Sequence, residues 1–97
     1  MMVLFDLPVV TKSERREASK FREHLRDLGF YMVQFSVYMK HCSGKDRFNS
    51  ILNKVKSRVP SNGNVRILQL TDKQYENIHS FGGRKSEFIH KEQFLLL

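Results

Sequence analysis

The opening of the chain constrains it most. Met1-Met2-Val3-Leu4-Phe5 is an unbroken apolar run that stops abruptly at Asp6-Leu7-Pro8. A run so short, closed by a proline, reads as a strand buried on both faces, as the central strand of a sheet would be. Such a strand needs partners on both edges and a layer over its sides, and the remaining sequence must supply them.

Downstream, Thr11-Lys12-Ser13-Glu14 has the form of a capping box, with a hydroxyl at the cap and a carboxylate three residues on. Ala18, Phe21, Leu25 and Leu28 follow at helical spacing, and Gly29 stands where a helix stops. From Phe30 to Cys42 the chain is rich in aromatic and β-branched residues, and Val33, Phe35, Val37 and Met39 alternate onto one side. That is one long strand or two short ones kinked near Gln34-Phe35-Ser36. With no Gly, Pro or Asn to mark a turn, both stay open.

A second helix is predicted from Ser43 to Arg58, with Phe48, Ile51, Leu52 and Val55 inward, ended by Pro60-Ser61-Asn62-Gly63-Asn64. Val65 to Leu70 reads as a strand, followed by the polar Thr71-Asp72-Lys73-Gln74. A further short strand is predicted around Glu76 to Phe81, closed by Gly82-Gly83.

Strands and helices in this order predict a single α+β domain over 1–97, a ferredoxin-like sandwich with two helices on one face of an antiparallel sheet. The opposite face would then be bare. A symmetric homodimer, sheet against sheet, is the simplest way to cover it. The apolar end Phe94-Leu95-Leu96-Leu97 finds little core in so small a chain. Residues 82–97 therefore read as a partner-contact segment.

Charge narrows the function. Lys and Arg exceed Asp and Glu by 17 to 10, a net +7, which suits a polyanion. The excess is local: residues 40–66 hold seven basic side chains against Asp46 alone. At about 100° per residue, Arg15, Ser19, Arg22 and Arg26 share one stripe of the first helix, with Lys12 at its edge. Arg47, Lys54 and Arg58 form a second stripe. Such stripes are usually solvated helix faces, but Glu17, Glu23 and Asp27 lie off the first one and leave it unneutralised. Cys42 is the only cysteine, so no internal disulfide forms. With no charged leader and no membrane-length apolar segment, a cytoplasmic protein is predicted.

Asp6 is the carboxylate best placed for chemistry, at the carboxyl end of a buried strand. One carboxylate per chain is too few for a two-metal phosphodiesterase. A two-fold axis nearby would bring two copies together, able to share one Mg²⁺. His24, His41, His79 and His90 are scattered, Cys42 reads as a small packed residue, and neither a phosphate loop nor a nucleophile elbow is present.

Phe5-Asp6-Leu7-Pro8, the basic start of the first helix, Gly29-Phe30 and Gln34-Phe35-Ser36-Val37-Tyr38, taken in order, resemble CRISPR-associated protein two over roughly 1–81. The form with Thr11 and Arg15 is similar to the branch accompanying type II systems. This resemblance implies a prokaryotic homodimer whose C-terminal strand is exchanged into the partner's sheet. It implies a bridge between dimers of the integrase, CRISPR-associated protein one, and a floor for prespacer duplex DNA in spacer acquisition. The type II effector nuclease becomes a possible further partner. The family is also described as a metal-dependent endonuclease, with Asp6 at the position of its Mg²⁺ ligand and catalytic residue.

The expected DNA contacts are Lys12, Arg15, Arg16, Arg22, Arg26, Lys54 and Arg58, through phosphates. Phe94, Leu95, Leu96 and Leu97 are the expected partner contacts. Two rivals stand beside this adaptor: a Mg²⁺-dependent nuclease cutting RNA or DNA at paired Asp6, and a single-strand RNA-binding module stacking bases on Phe30, Tyr31, Phe35 and Tyr38.

Overall fold

In the computed structural model, which describes residues 1–82, strand β1 (Met2–Asp6) runs through the middle of the sheet. Helix α1 (Lys12–Asp27), strands β2 (Tyr31–Gln34) and β3 (Val37–Met39), helix α2 (Gly44–Lys56), strand β4 (Asn64–Leu68) and helix α3 (Asp72–Glu76) follow. All three strand pairings are antiparallel, in the order β2-β3-β1-β4. The result is an α+β fold with a four-stranded sheet, compatible with the ferredoxin-like sandwich. The expected partner-contact segment, including Phe94, Leu95, Leu96 and Leu97, lies outside the described residues.

β1 is central, but its two sides are not equal. Val3 and Phe5 are buried, whereas Met2 and Leu4 are only half-buried, which corrects the expectation of burial on both faces. The buried side meets both long helices: Phe21 and Leu25 from α1, and Ile51 and Val55 from α2, join Val3, Phe5 and Tyr38 in one cluster. Phe5 is its hub, edge-on to Phe21 at 5.3 Å and stacked on Tyr38 at 5.7 Å. Each such side chain removed from water contributes about 1.5–3 kcal/mol. On the helical layer, the His24 ring bonds through Nε2 to the Lys54 carbonyl at 2.8 Å, tying α1 to α2.

α1 starts as its sequence dictates. The Thr11 hydroxyl accepts the Glu14 amide at 3.1 Å, while Glu14 Oε1 accepts the Thr11 amide at 2.9 Å. Gly29 follows the helix with φ of 96°. α2 begins after Ser43, which makes no side-chain cap bond, and ends at Lys56, a little short of the expected Arg58.

Between residues 30 and 42 the chain forms two strands joined at Phe35-Ser36. Ser36 takes the turn with φ of 64°, the one positive value among the described non-glycine residues, and its carbonyl accepts the Phe5 amide at 3.1 Å. A register shift between Met32 and Gln34 breaks the alternation. The predicted single face therefore dissolves: Met39 is buried and Val37 half-buried, but Val33 and Phe35 are exposed.

The strand expected over 76–81 is absent. Thr71 and Gln74 instead form a second capping box, at 3.1 and 2.9 Å, which winds Asp72–Glu76 into the short helix α3. Residues 77–82 carry no strand.

Candidate nucleic-acid interface and the Asp6 position

The surfaces of α1 and α2 carry the predicted basic residues, except Arg58, which follows the end of α2. Lys12, Arg15, Arg16, Arg26, Lys54 and Arg58 are exposed, and Arg22 is half-buried. The sole ion pair among the described residues is Lys20 to Glu17 at 3.9 Å, so the stripes face water without a carboxylate on them. Two arginines are partly engaged. Arg15 Nη1 donates to the carbonyls of Val9 and Val10 at 3.2 and 2.8 Å, bracing the loop ahead of α1. Arg22 Nη2 donates to Ser19 Oγ at 3.2 Å. Each guanidinium keeps further donors for an anion. His24 holds α1 beside Lys54 of the second stripe, a link that helical periodicity alone does not reveal.

Asp6 ends β1, exposed, on the side away from the helices. Its ladder partner on β4 is Asn64, and Leu4 lies opposite Arg66. On its other flank sits the Phe35-Ser36 turn. Gly63 makes this end possible. Its φ is 132°, and a Cβ there would stand 2.7 Å from Leu7 Cδ2 and 3.0 Å from the Asp6 carbonyl oxygen. Asn64, Arg66 and Leu68 alternate with the inward Val65 and Ile67, which puts an amide and a guanidinium on the Asp6 side. Period-two alternation along Asn64-Val65-Arg66 places the two polar residues on one side of β4, though not opposite which strand.

No group of three His, Cys, Asp or Glu side chains suited to a metal occurs among the described residues. Mg²⁺ demands near-octahedral oxygen coordination, and one exposed carboxylate beside an amide falls short of it. A single chain does not fit the ion; Asp6 is at most half of a site.

The sheet side bearing Asp6 is covered at its opposite end. There α3 brings Tyr75 to a hydrogen bond with Tyr31, and burial together with that neighbour pushes the Tyr31 phenol well above its ordinary range. Cys42 packs nearby, its Sγ 3.8 Å from the Lys40 carbonyl. Of the four rings offered for base stacking, Phe30 and Tyr38 are buried, Tyr31 is bonded to Tyr75, and Phe35 is exposed.

The sequence pattern of the family described as CRISPR associated protein Cas2 matches residues 1–78, which span every element from β1 to α3. The chain belongs to the Cas2 family. A relative from Paracidovorax avenae is 47% identical over 91 residues, covering 94% of this chain and 84% of its own length. One from Ligilactobacillus salivarius is 44% identical over 85 residues, 88% of this chain and 84% of its own. A third, from Treponema denticola, is 35% identical over 98 aligned positions, 100% of this chain and 97% of its own. Each is named a CRISPR-associated endoribonuclease Cas2. No helix among the described residues is long and apolar enough to cross a membrane.

Proposed function

We propose that this Cas2-family chain acts in the prokaryotic cytoplasm as a homodimeric adaptor for spacer acquisition, binding prespacer duplex DNA through phosphates and bridging dimers of the CRISPR-associated integrase. The observation that carries the reading is the pair of basic stripes along α1 and α2, largely exposed, which no carboxylate among the described residues neutralises. Phosphate contacts position a duplex without specifying sequence, so helical arginines suffice. The exchange or integrase contact is assigned in this reading to the segment with Phe94 to Leu97, which lies outside the described residues, and the type II effector nuclease is a further partner. Replacing Arg15, Arg22 and Arg26 together by Ala is expected to weaken binding to all duplexes about equally, flattening the salt slope by roughly 0.9 per lost contact. Equal losses when Arg84, Lys85 and Lys91 are replaced instead would reduce the stripes to a general basic surface. Copurification with the integrase checks the bridging role.

The relatives' names favour a second reading, an endoribonuclease, for which we propose Mg²⁺ as the cofactor. Two chains related by a two-fold axis would pool their Asp6 carboxylates, with water filling the rest of the ion's shell. The ion would polarise the phosphodiester. Asp6→Asn should then abolish metal-dependent RNA cleavage while preserving the dimer and duplex binding. Undiminished cleavage by that variant would exclude Asp6 as the metal ligand.

A further inference from the structure

The side of the sheet that faces away from α1 and α2 carries a small, self-complementary set of charges. Along central β1 and edge strand β4 it presents Met2, Leu4 and Asp6 from β1, and Asn64, Arg66 and Leu68 from β4. Asp6 and Arg66 are its ionic residues. Asp6 pairs with Asn64 and Arg66 with Leu4, so the two charges are diagonal neighbours, about 7–8 Å apart at the backbone. They do not form an ion pair with each other, since the described residues contain only Lys20–Glu17. Each stands exposed. Half-buried Met2, Leu4 and Val37 complete an apolar patch beside them.

If two copies of the chain close over this side, four charges enter the contact: two carboxylates and two guanidiniums. Removing them from water is costly unless each meets its opposite. Setting Asp6 against the partner's Asp6 satisfies neither and leaves both arginines alone. Setting Asp6 against the partner's Arg66, twice over, neutralises all four, and a guanidinium fork suits a carboxylate in two parallel hydrogen bonds.

We propose that Arg66 is the intersubunit counter-ion of Asp6: in the metal-free homodimer each Arg66 reaches across the two-fold axis to the partner's Asp6. The inference rests on the homodimer of the preceding section and specifies its contact. It also accounts for a carboxylate that one chain cannot equip as a metal site. A divalent cation taken up between the two Asp6 carboxylates would have to displace both arginines.

The test uses the full chain in chelator, with self-association measured by sedimentation equilibrium. Asp6→Arg gives a chain whose open side holds two cations, and Arg66→Asp one that holds two carboxylates. Each variant alone should dimerise at least about tenfold more weakly than the parent, the scale of coupling measured for close interfacial charge pairs. Mixed in equal amounts, the two should form a heterodimer at least about tenfold tighter than either homodimer, because every cross-axis contact is then between opposite charges. A pair confined within one chain predicts no such gain, since each variant keeps its own like-charge repulsion. A mixture no tighter than its components, with the parent dimeric, overturns the assignment of Arg66 but leaves the homodimer standing. A parent chain that is monomeric at tens of micromolar overturns both. Folding is checked by the helical signal of each variant before mixing.

Discussion

The two sides of the sheet differ in what completes them. The side under α1 and α2 is finished by the chain itself: Val3, Phe5, Tyr38, Phe21, Leu25, Ile51 and Val55 close on one another with no charged side chain among them. The other side holds half-buried Met2 and Leu4, a carboxylate and a guanidinium, with α3 over one end. The first side is closed by the chain's own core and the second keeps half-buried and charged residues, which is why β1 alternates in burial where its sequence reads as uniformly apolar.

The sharpest way to break this contrast is to truncate one side chain on each side. Phe21→Ala should cost about 3–5 kcal/mol, a large share of the about 5–15 kcal/mol that holds a domain together, read as a fall in the urea midpoint. Leu4→Ala should cost about 1 kcal/mol in unfolding and act instead on self-association. Equal losses would mean that both sides serve the core alike.

Gly63 sharpens the contrast where the sides meet. Gly63→Ala forces a side chain into a backbone conformation of φ 132° and against Leu7 and the Asp6 carbonyl. A loss of about 1–3 kcal/mol is expected, with the Asp6 position disturbed and α1 intact, as chemical shifts of the two regions would report. A variant as stable as the parent, with an unmoved Asp6, would contradict that close approach.

The smallest effect belongs to the covered end of the open side. Tyr31 has its folded-state pKa raised above the ordinary value of 10.0, chiefly by burial. Its neutral phenol therefore contributes stability that is fully present below about pH 10 and is lost as pH rises from there toward the folded-state value. Tyr75→Phe should remove about 0.5–1.5 kcal/mol at neutral pH through the lost hydrogen bond. It should also let Tyr31 ionise earlier in an ultraviolet titration. An unchanged phenol titration would show that α3 does not shield this end.

Much of the architecture was legible. Thr11 and Glu14 mark the start of α1, Gly29 its end, and Phe48, Ile51, Leu52 and Val55 the inward face of α2, because caps and periodicity act locally. The break at Gln34-Phe35-Ser36 was legible only as one of two readings, since a serine holds a conformation that glycine or asparagine usually marks. The α3 helix was missed although Thr71-x-x-Gln74 repeats the capping form already seen at Thr11. A polar stretch after a strand looks like a turn until its cap is counted. Asp6 was legible as a strand-end carboxylate, and the basic stripes as helix faces. Its neighbours Asn64 and Arg66 were not, because cross-strand register is set by β4 returning beside β1, from nearly sixty residues downstream.

One bond on the helical layer bears on mechanics. The Lys54 carbonyl is held by the His24 ring at 2.8 Å and by the Ser57 hydroxyl at 2.7 Å, so the end of α2 is clamped to the flank of α1. That link sets the spacing between the two cationic rows at this end. A polyanion lying across both rows, as proposed above, would have to match that spacing or bend to it. Preference among ligands would follow their stiffness, which varies with base composition even where no base is touched.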